Sequence, residues 1–458
     1  MCGVAVWAFD QGWMNRLRNR YVVVRNLMLN RRTFLATSSI AAMCARSAHA
    51  SVTYLDDIPV SGTEVARLRS FDDLMLKMLR EHDIPGATLA VAKDGELLYS
   101  RGFGWSDREA RQPMQPDSIL RIASVSKPIT AMAVLKLVEQ GKLTLDEPVL
   151  PSLLTLYPTS PDIADKRWET ITVRHCLQHT GGWDRNKSFD PIGRARVIAQ
   201  TLGTDLPVMP RQIVEYMFSI DLDFKPGSRA AYSNFGYIIL GCLIEQATGL
   251  RYADYVKREI LEPLGCLHTQ LGRARREDRL EGEVTYYDRE KRKGPSLYPA
   301  DAGKEVDLPY GAENFEAYEA HGGWTSTAAD LVRFAALLLP NAQNTPVLSP
   351  SSIALIKERP KGAAGYDRSG ELKDAFQGLG WMVRPVLSQS QSGDKVDLPE
   401  AYGPRANLWH AGFIAGTEAL LVHRHDHYQW CVLFNTQASP PGKTLVQIID
   451  PLLHQAAP

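Results

Sequence analysis

Apolar, β-rich segments lie at both ends of this chain, and a long stretch of helical patterning lies between them. That arrangement limits the possible folds more than any other feature. Gly86 to Ala92 reads as a strand, Lys93-Asp94-Gly95 as a turn, and Glu96 to Gly104 as the partner strand. Ahead of them, residues 62–80 place Leu68, Phe71, Met75, Met78 and Leu79 on one helical face. Near the other end, Gly378 to Val386, Glu418 to His423 and Trp430 to Thr436 are again apolar and β-rich, and a closing helix is predicted over Lys443 to Leu453. From about Ile122 to Leu338 the pattern is mostly helical, broken by loops such as Lys225-Pro226-Gly227-Ser228. The expected fold is therefore α+β. One antiparallel sheet, flanked by helices, is built from both termini, with a mostly helical domain inserted. Residues 51–121 and 375–458 are assigned to the sheet part and 122–374 to the helical part; the polar residues 387–400 read as a loop insertion.

The first 50 residues read as an address rather than as fold. Arg31-Arg32 is followed by an apolar stretch from Leu35 to Ala45 and by the small residues Ala48-His49-Ala50. This is the pattern of a twin-arginine export signal, with cleavage expected after Ala50 and a periplasmic or secreted product. Met28 is a natural start for such a signal, so residues 1–27 are expected to be an upstream extension. A sequenced N-terminal peptide beginning before Met28 would sink that expectation. The apolar stretch is too short to span a bilayer comfortably, and no stable span is expected in the mature chain.

Composition narrows the function classes. The chain has 458 residues, 44% of them hydrophobic, which is ample for a large core. Its 52 basic and 52 acidic residues cancel, so no global field points to nucleic acid or an anionic membrane. The dense mixed charges from Arg273 to Lys293 read as a solvated helix end and hairpin. Of six cysteines, Cys2 and Cys44 precede the mature chain; Cys176, Cys242, Cys266 and Cys431 sit in apolar stretches without C-x-x-C spacing and read as buried free thiols.

The chemistry is concentrated in three short motifs. Ser124-Val125-Ser126-Lys127 opens a helical run in which Ile129, Met132, Leu135 and Val138 recur at helical spacing, with Gly141 as its stop. Residues three apart share a helix face, so Lys127 rises beside Ser124. A serine hydroxyl needs a base within hydrogen-bond reach, and a buried lysine can lose its proton and serve as one. Pro128 fits the first helical turn, which puts Ser124 near the helix N-terminus. The second motif is Tyr232-Ser233-Asn234: a phenol near a lysine can be pushed toward phenolate, and an amide can hold a substrate carbonyl or steady the lysine. The third is Trp409-His410-Ala411-Gly412 entering a strand. A small residue and Gly412 would let an acyl group lie against the strand edge. The backbone N–H of Phe413 could then join that of Ser124 in an oxyanion hole.

Taken together these motifs resemble the β-lactamase and penicillin-binding-protein superfamily of active-site serine hydrolases. The likeness is greatest to the class C β-lactamase-related branch, with its family VIII carboxylesterases and D-aminopeptidases. The resemblance runs over about residues 65–453. It includes Arg121-Ile122-Ala123, Gly141-Lys142-Leu143-Thr144-Leu145-Asp146, Gln178-His179-Thr180-Gly181-Gly182, the run from Gly322 to Leu331, and Gly378-Leu379-Gly380-Trp381. It implies Ser124 as nucleophile, Lys127 as its activating partner and Tyr232 as proton shuttle. Asn234 would face the substrate, with His410, Gly412 and Phe413 at the third motif. No metal or other cofactor is implied. Two departures matter. The third motif is His-Ala-Gly where relatives acting on β-lactams or D-Ala-D-Ala peptides usually carry Lys-Thr-Gly, so neither a lysine charge nor a threonine hydroxyl anchors a substrate carboxylate. Trp183-Asp184-Arg185 also stands where relatives often have Gly-Leu.

These features predict an exported hydrolase working through an acyl-serine, with a small-molecule ester as the expected substrate. A D-amino-acid peptidase or amidase, or a weak β-lactamase, is the alternative enzyme. A non-catalytic cell-wall-peptide-binding protein is the alternative of another class, opposed by the presence of Ser124, Lys127 and Tyr232 together. The chain has no G-x-S-x-G, H-E-x-x-H or phosphate-loop motif. His423, His425 and His427 alternate as metal ligands could, although the resemblance implies a polar hairpin tip there.

Overall fold

The computed structural model describes residues 51–159, 161–339, 347–366, 371–386, 405–438 and 442–457. The expected export signal and the expected loop insertion at 387–400 lie outside the described residues. Among the described residues the large sheet has ten strands: β1 (Val52–Leu55), β2 (Ile58–Ser61), β3 (Gly86–Lys93), β4 (Glu96–Asp107), β5 (Gln112–Pro113), β6 (Phe376–Gln377), β7 (Met382–Pro385), β8 (Ala406–Ile414), β9 (Thr417–His423) and β10 (Tyr428–Phe434). Their order is β1-β2-β4-β3-β10-β9-β8-β7-β6, with β5 against β4. Every pairing is antiparallel. The two ends of the chain meet at β3 and β10, where Val91 faces Trp430 and Ala87 faces Phe434. The sheet is thus built from both termini, as the strand pattern predicts.

Local chemistry explains the turns. Lys93 and Glu96 close a two-residue hairpin whose centre, Asp94-Gly95, has φ of 52° and 85°. Both angles are positive, as a type I′ turn requires, and Asp-Gly is among the pairs that adopt it most easily. The run from Gly378 to Val386, predicted as one strand, is instead a hairpin: Gln377 faces Met382, and Gly378 N–H donates to the Trp381 carbonyl at 2.8 Å. Its apolar residues, Leu379 and Trp381, are buried at the turn itself, which is why the composition mimics a strand.

Helices cover both faces of the sheet. They include α1 (Arg69–Glu81), α2 (Ser126–Glu139), α3 (Asn234–Thr248), α4 (Ala328–Ala336) and α5 (Leu445–Ala456). Strand periodicity divides the side chains between two cores. Leu89, Val91, Leu420, Val422 and Val432 pack with α1 and α5. Ala90, Ala92, Ala419, Leu421, Cys431 and Leu433 pack toward α4 and the helices of the middle segment. Helix α2 is buried on nearly every side, not on one face alone, as befits a helix hydrophobic all round. The middle segment also contains a small three-stranded sheet, in which Trp324–Ser326 lies between Leu120–Arg121 and Gln270–Leu271. Cys176, Cys242, Cys266 and Cys431 are buried free thiols.

One buried ion pair braces the first core. Arg101 Nη1 lies 2.8 Å from Asp72 Oδ2, and the Tyr99 hydroxyl donates to Asp72 Oδ1 at 2.6 Å. The two charged side chains are 4% and 5% exposed. Removing one partner strands the other in a medium that solvates it poorly. Arg101→Met is therefore expected to destabilise the fold by about 3–5 kcal/mol in urea unfolding. A loss below about 1 kcal/mol would show that Asp72 is satisfied without the guanidinium.

Candidate active site

The chain enters the site through Arg121. Its guanidinium is buried and donates to the carbonyls of Pro309 and Arg273, both at 2.6 Å, and it lies 4.4 Å from the Phe315 ring centroid. This strut fixes the strand that leads into Ala123–Val125, a 3-10 turn that runs straight into α2. Ala123 has a φ of 46°, a left-handed conformation that costs energy for any residue with a Cβ. The turn passes directly into α2, where residues three apart share a face, so Ser124 and Lys127 stand side by side.

Lys127 is fully buried, and its Nζ has three neighbours. They are Ser124 Oγ at 3.0 Å, Asn234 Oδ1 at 2.8 Å and the His321 carbonyl oxygen at 2.8 Å. Burial drives its pKa well below the ordinary lysine value; Asp190 opposes that shift and Arg185 adds to it. A neutral amine has two protons and one lone pair. The amide oxygen and the backbone carbonyl accept the two protons, and the lone pair is left facing the Ser124 hydroxyl. The Tyr232 hydroxyl donates to Ser124 Oγ at 2.8 Å from the other side. Burial raises the pKa of that phenol, so it stays protonated in the free protein rather than being pushed toward phenolate. Lys127 lies over the face of the Tyr232 ring, 4.8 Å from its centroid. The geometry therefore divides the labour: the amine can accept a proton and the phenol can give one.

Tyr232 owes its position to the Gln178–Gly182 loop. The His179 carbonyl accepts from Ala231 N–H at 2.8 Å, and His179 Nδ1 accepts from Ser233 N–H at 3.1 Å. The His179 ring packs on Tyr232 with centroids 4.5 Å apart. Burial keeps that imidazole neutral by lowering its pKa far below the usual value. Asn234 is the first residue of α3, behind the N-cap Ser233. Its amide is turned inward: Oδ1 meets Lys127, and Nδ2 donates to Asp190 Oδ2 at 2.7 Å. That leaves one amide N–H for a substrate.

Trp183-Asp184-Arg185 forms an anchored loop beside Tyr232. Trp183 is buried against Trp168 and Phe235, and Asp184 pairs with Arg229 at 2.8 Å. With the loop anchored on both counts, the Arg185 guanidinium is held over the Tyr232 ring, 4.9 Å from its centroid.

The third motif lies on β8. Strand β7 pairs with β8 only as far as Trp409, and beyond that point the Ile122–Ser124 turn packs against the edge. Val386 N–H donates to the Arg405 carbonyl in the register of that pairing. Antiparallel alternation then turns the backbone groups of residues 405, 407, 409, 411 and 413 away from β9. The Phe413 N–H accordingly points to the edge on which Ser124 lies. Ser124 N–H belongs to the first turn of its helix and has no intrahelical acceptor. His410 is buried, and its pKa is pushed down to about 3, mainly by desolvation. Its Nδ1 lies 2.8 Å from the Ala411 carbonyl oxygen, which fixes the N–H there and leaves Nε2 an acceptor. The third motif thus presents no cation at neutral pH.

The structure brings together Ser124, Lys127, Tyr232 and Asn234, and it lays the third motif along the adjoining edge. The sequence marks His179 only within the resemblance and Arg185 only as part of a departure, and it gives no sign of Asp190 or the His321 carbonyl. The histidines of the expected hairpin tip turn to separate partners: His423 to Gln429 at 3.2 Å, His425 to Asn407 at 3.1 Å and His427 to Asp94 at 3.0 Å.

The chain is similar to known proteins over most of this architecture. It is 33% identical to Esterase EstB of Burkholderia gladioli over 317 residues, covering 65% of this chain and 76% of that protein. It is 26% identical to the human mitochondrial serine beta-lactamase-like protein LACTB over 464 residues, covering 85% and 78%. A solved structure of the D-amino acid amidase from Ochrobactrum anthropi SV3, complexed with L-phenylalanine amide, shares the fold with a TM-score of 0.59 at 20% identity, covering 84% of this chain and 97% of that one. Residues 71–450 match the family model described as Beta-lactamase, a span that takes in Ser124, Lys127, Tyr232 and the His410 edge alike, and the chain belongs to that family.

Proposed function

We propose that this β-lactamase-fold serine hydrolase cleaves carboxylic esters through an acyl-Ser124 intermediate. The observation that carries the reading is the Ser124 Oγ held between the Lys127 amine at 3.0 Å and the Tyr232 phenol at 2.8 Å. Lys127 Nζ takes the hydroxyl proton as Oγ attacks the carbonyl carbon. The N–H groups of Ser124 and Phe413 stabilise the oxyanion. As the tetrahedral species collapses, Tyr232 gives its proton to the departing alkoxide, and the Lys127 ammonium restores it. Water then repeats the sequence on the acyl-enzyme and releases the acid.

Esters are favoured over β-lactams and D-alanyl peptides by the third motif. His410 is neutral and Ala411 has no hydroxyl, so the charge-assisted hydrogen bonds that would hold a substrate carboxylate there, worth roughly 1.5–3 kcal/mol each, are missing. An alkoxide also leaves more readily than an amine. The 33% identity to Esterase EstB supports the same choice. The pattern around Arg31-Arg32 and Ala48-His49-Ala50 supports export of the mature enzyme, and recovery of the uncut chain from the cytoplasm alone would sink that part of the proposal.

The test is a panel of p-nitrophenyl butyrate, a D-amino acid amide, a D-alanyl peptide and a chromogenic cephalosporin, with fluorophosphonate labelling and peptide mapping of the adduct. The expected result is rapid ester cleavage with the adduct on Ser124. A cephalosporin rate equal to the ester rate would overturn the ester assignment, and an adduct on another serine would overturn the nucleophile.

A further inference from the structure

We propose that Asp190 is a positioning residue that locks the Asn234 amide in one orientation and so keeps the Lys127 lone pair on Ser124; this rests on Lys127 acting as the base. A carboxylate accepts hydrogen bonds and cannot donate them. Asp190 Oδ2 receives Asn234 Nδ2–H at 2.7 Å, so only the Asn234 oxygen can face Lys127. An amide is nearly symmetric in shape, and its orientation is set by its neighbours. Were it to flip, Nδ2–H would point at the amine and occupy the lone pair that Ser124 needs.

Asp190 is itself placed by its own turn. It caps the 3-10 turn Pro191–Arg194, with Oδ1 accepting from Ile192 N–H at 3.4 Å, while its carbonyl accepts from Gly193 N–H at 3.2 Å. The cap fixes one carboxylate oxygen and leaves the other for Asn234. Arg185 Nη1 stands 4.0 Å from the same Oδ2, beyond hydrogen-bond range, so the Asn234 amide takes the stronger interaction. A chain of contacts thus runs from Ser124 through Lys127 and Asn234 to Asp190, closed on the outside by a guanidinium.

The charged and titratable groups around Lys127 give the inference a pH signature. Tyr232 and Tyr237 present ring faces to Nζ at 4.8 and 5.5 Å. His179, His321 and His410 are buried and neutral. Among the described residues that leaves Asp190 and Arg185 as the nearby full charges, acting in opposite senses on the amine. Removing the carboxylate withdraws the group that favours the ammonium form. The acid limb of Ser124 reactivity should then move to lower pH, even as the plateau falls.

The experiment measures the rate of fluorophosphonate labelling and p-nitrophenyl butyrate hydrolysis against pH for the full-length protein, Asp190→Asn, Asn234→Ala and the double variant. Asparagine caps a helix turn as well as aspartate, so Asp190→Asn keeps the local fold. The expected result is a plateau on the order of 10-fold to 100-fold lower, KM within about twofold, and the acid limb at lower pH. The double variant should be no slower than Asn234→Ala, because both changes break one chain of contacts. Asp190→Asn reacting at the wild-type rate with an unmoved limb overturns the inference and leaves the proposed function intact, and so do losses that multiply in the double variant. A wild-type protein that resists the probe at every pH overturns both.

Discussion

Ser124→Ala and Lys127→Met are each expected to reduce p-nitrophenyl butyrate hydrolysis by on the order of 10⁴-fold or more, and the double variant by little further. As the proposed nucleophile and base, Ser124 and Lys127 act as a unit, so removing either is expected to remove nearly the whole advantage. The pH behaviour separates them from mere structural damage. Wild-type kcat should rise with pH along a limb set by deprotonation of Lys127, whose pKa burial holds far below the lysine norm. Folding carries a matching signature. The unfolded chain binds a proton on Lys127 up to pH of about 10.4, whereas the folded chain releases it much earlier. Stability attributable to Lys127 therefore rises with pH across the interval from the folded pKa to the unfolded one. Lys127→Met lacks that slope, and its melting temperature relative to wild type should fall as pH climbs through the interval. Equal slopes in the two proteins would mean that Lys127 folds as an ammonium and cannot be the base.

What could be read from the sequence divides by distance along the chain. Ser124 and Lys127 are three residues apart, so helix geometry alone predicts their contact. The strand assignments near Val91 and Trp430 follow from apolar composition and flanking turns, and strands at both ends predict one shared sheet, while the pairing of these two strands is read from the structure. The supporting groups were not legible. Asp190 reaches Asn234 from 44 residues away, and the His321 carbonyl reaches Lys127 from 194. A backbone carbonyl leaves no mark in a sequence at all. Arg185 stands out in the sequence only as part of a departure from the family pattern, and its place over Tyr232 emerges once Trp183 and Asp184 are seen to pin its loop. The run from Gly378 misled because a hairpin with a buried apolar turn has the composition of a strand.

The distinction between motif and support also explains how the His-Ala-Gly departure coexists with an intact Ser124–Lys127–Tyr232 cluster. Lys127, Tyr232 and Ser124 contact one another through α2 and the start of α3, and none of those contacts passes through His410. The third motif can therefore change its residues without breaking those contacts, while any cation placed at position 410 would act electrostatically on Lys127. What it cannot change is its shape at Gly412, where the strand and the nucleophile turn meet.

Gly412→Ala tests that junction, and the expected outcome is loss of activity out of proportion to loss of fold. A Cβ at this position would fall well inside contact distance of the Ile122 carbonyl oxygen and 3.1 Å from Ala123 Cβ. The nearest obstacle is backbone, and Ala123 is already in a strained conformation fixed by its neighbours, so no side chain can swing aside. Relief requires β8 to withdraw from the Ile122–Ser124 turn. That movement separates the N–H of Phe413 from the N–H of Ser124, the two donors proposed to converge on one oxyanion. Losing the alignment of a single oxyanion donor costs on the order of 10²–10³ in kcat. The fold should lose only about 1–3 kcal/mol, because β8 keeps its full pairing with β9 from Leu408 to Ile414. Ester hydrolysis should therefore fall by about two orders of magnitude or more in a protein that still melts cooperatively, with Lys127 and Tyr232 untouched. Fluorophosphonate labelling should slow with it, since that reagent also develops charge on an oxygen facing the same donors. A Gly412→Ala enzyme that keeps its wild-type kcat would show that the edge of β8 tolerates withdrawal and that the oxyanion is held elsewhere.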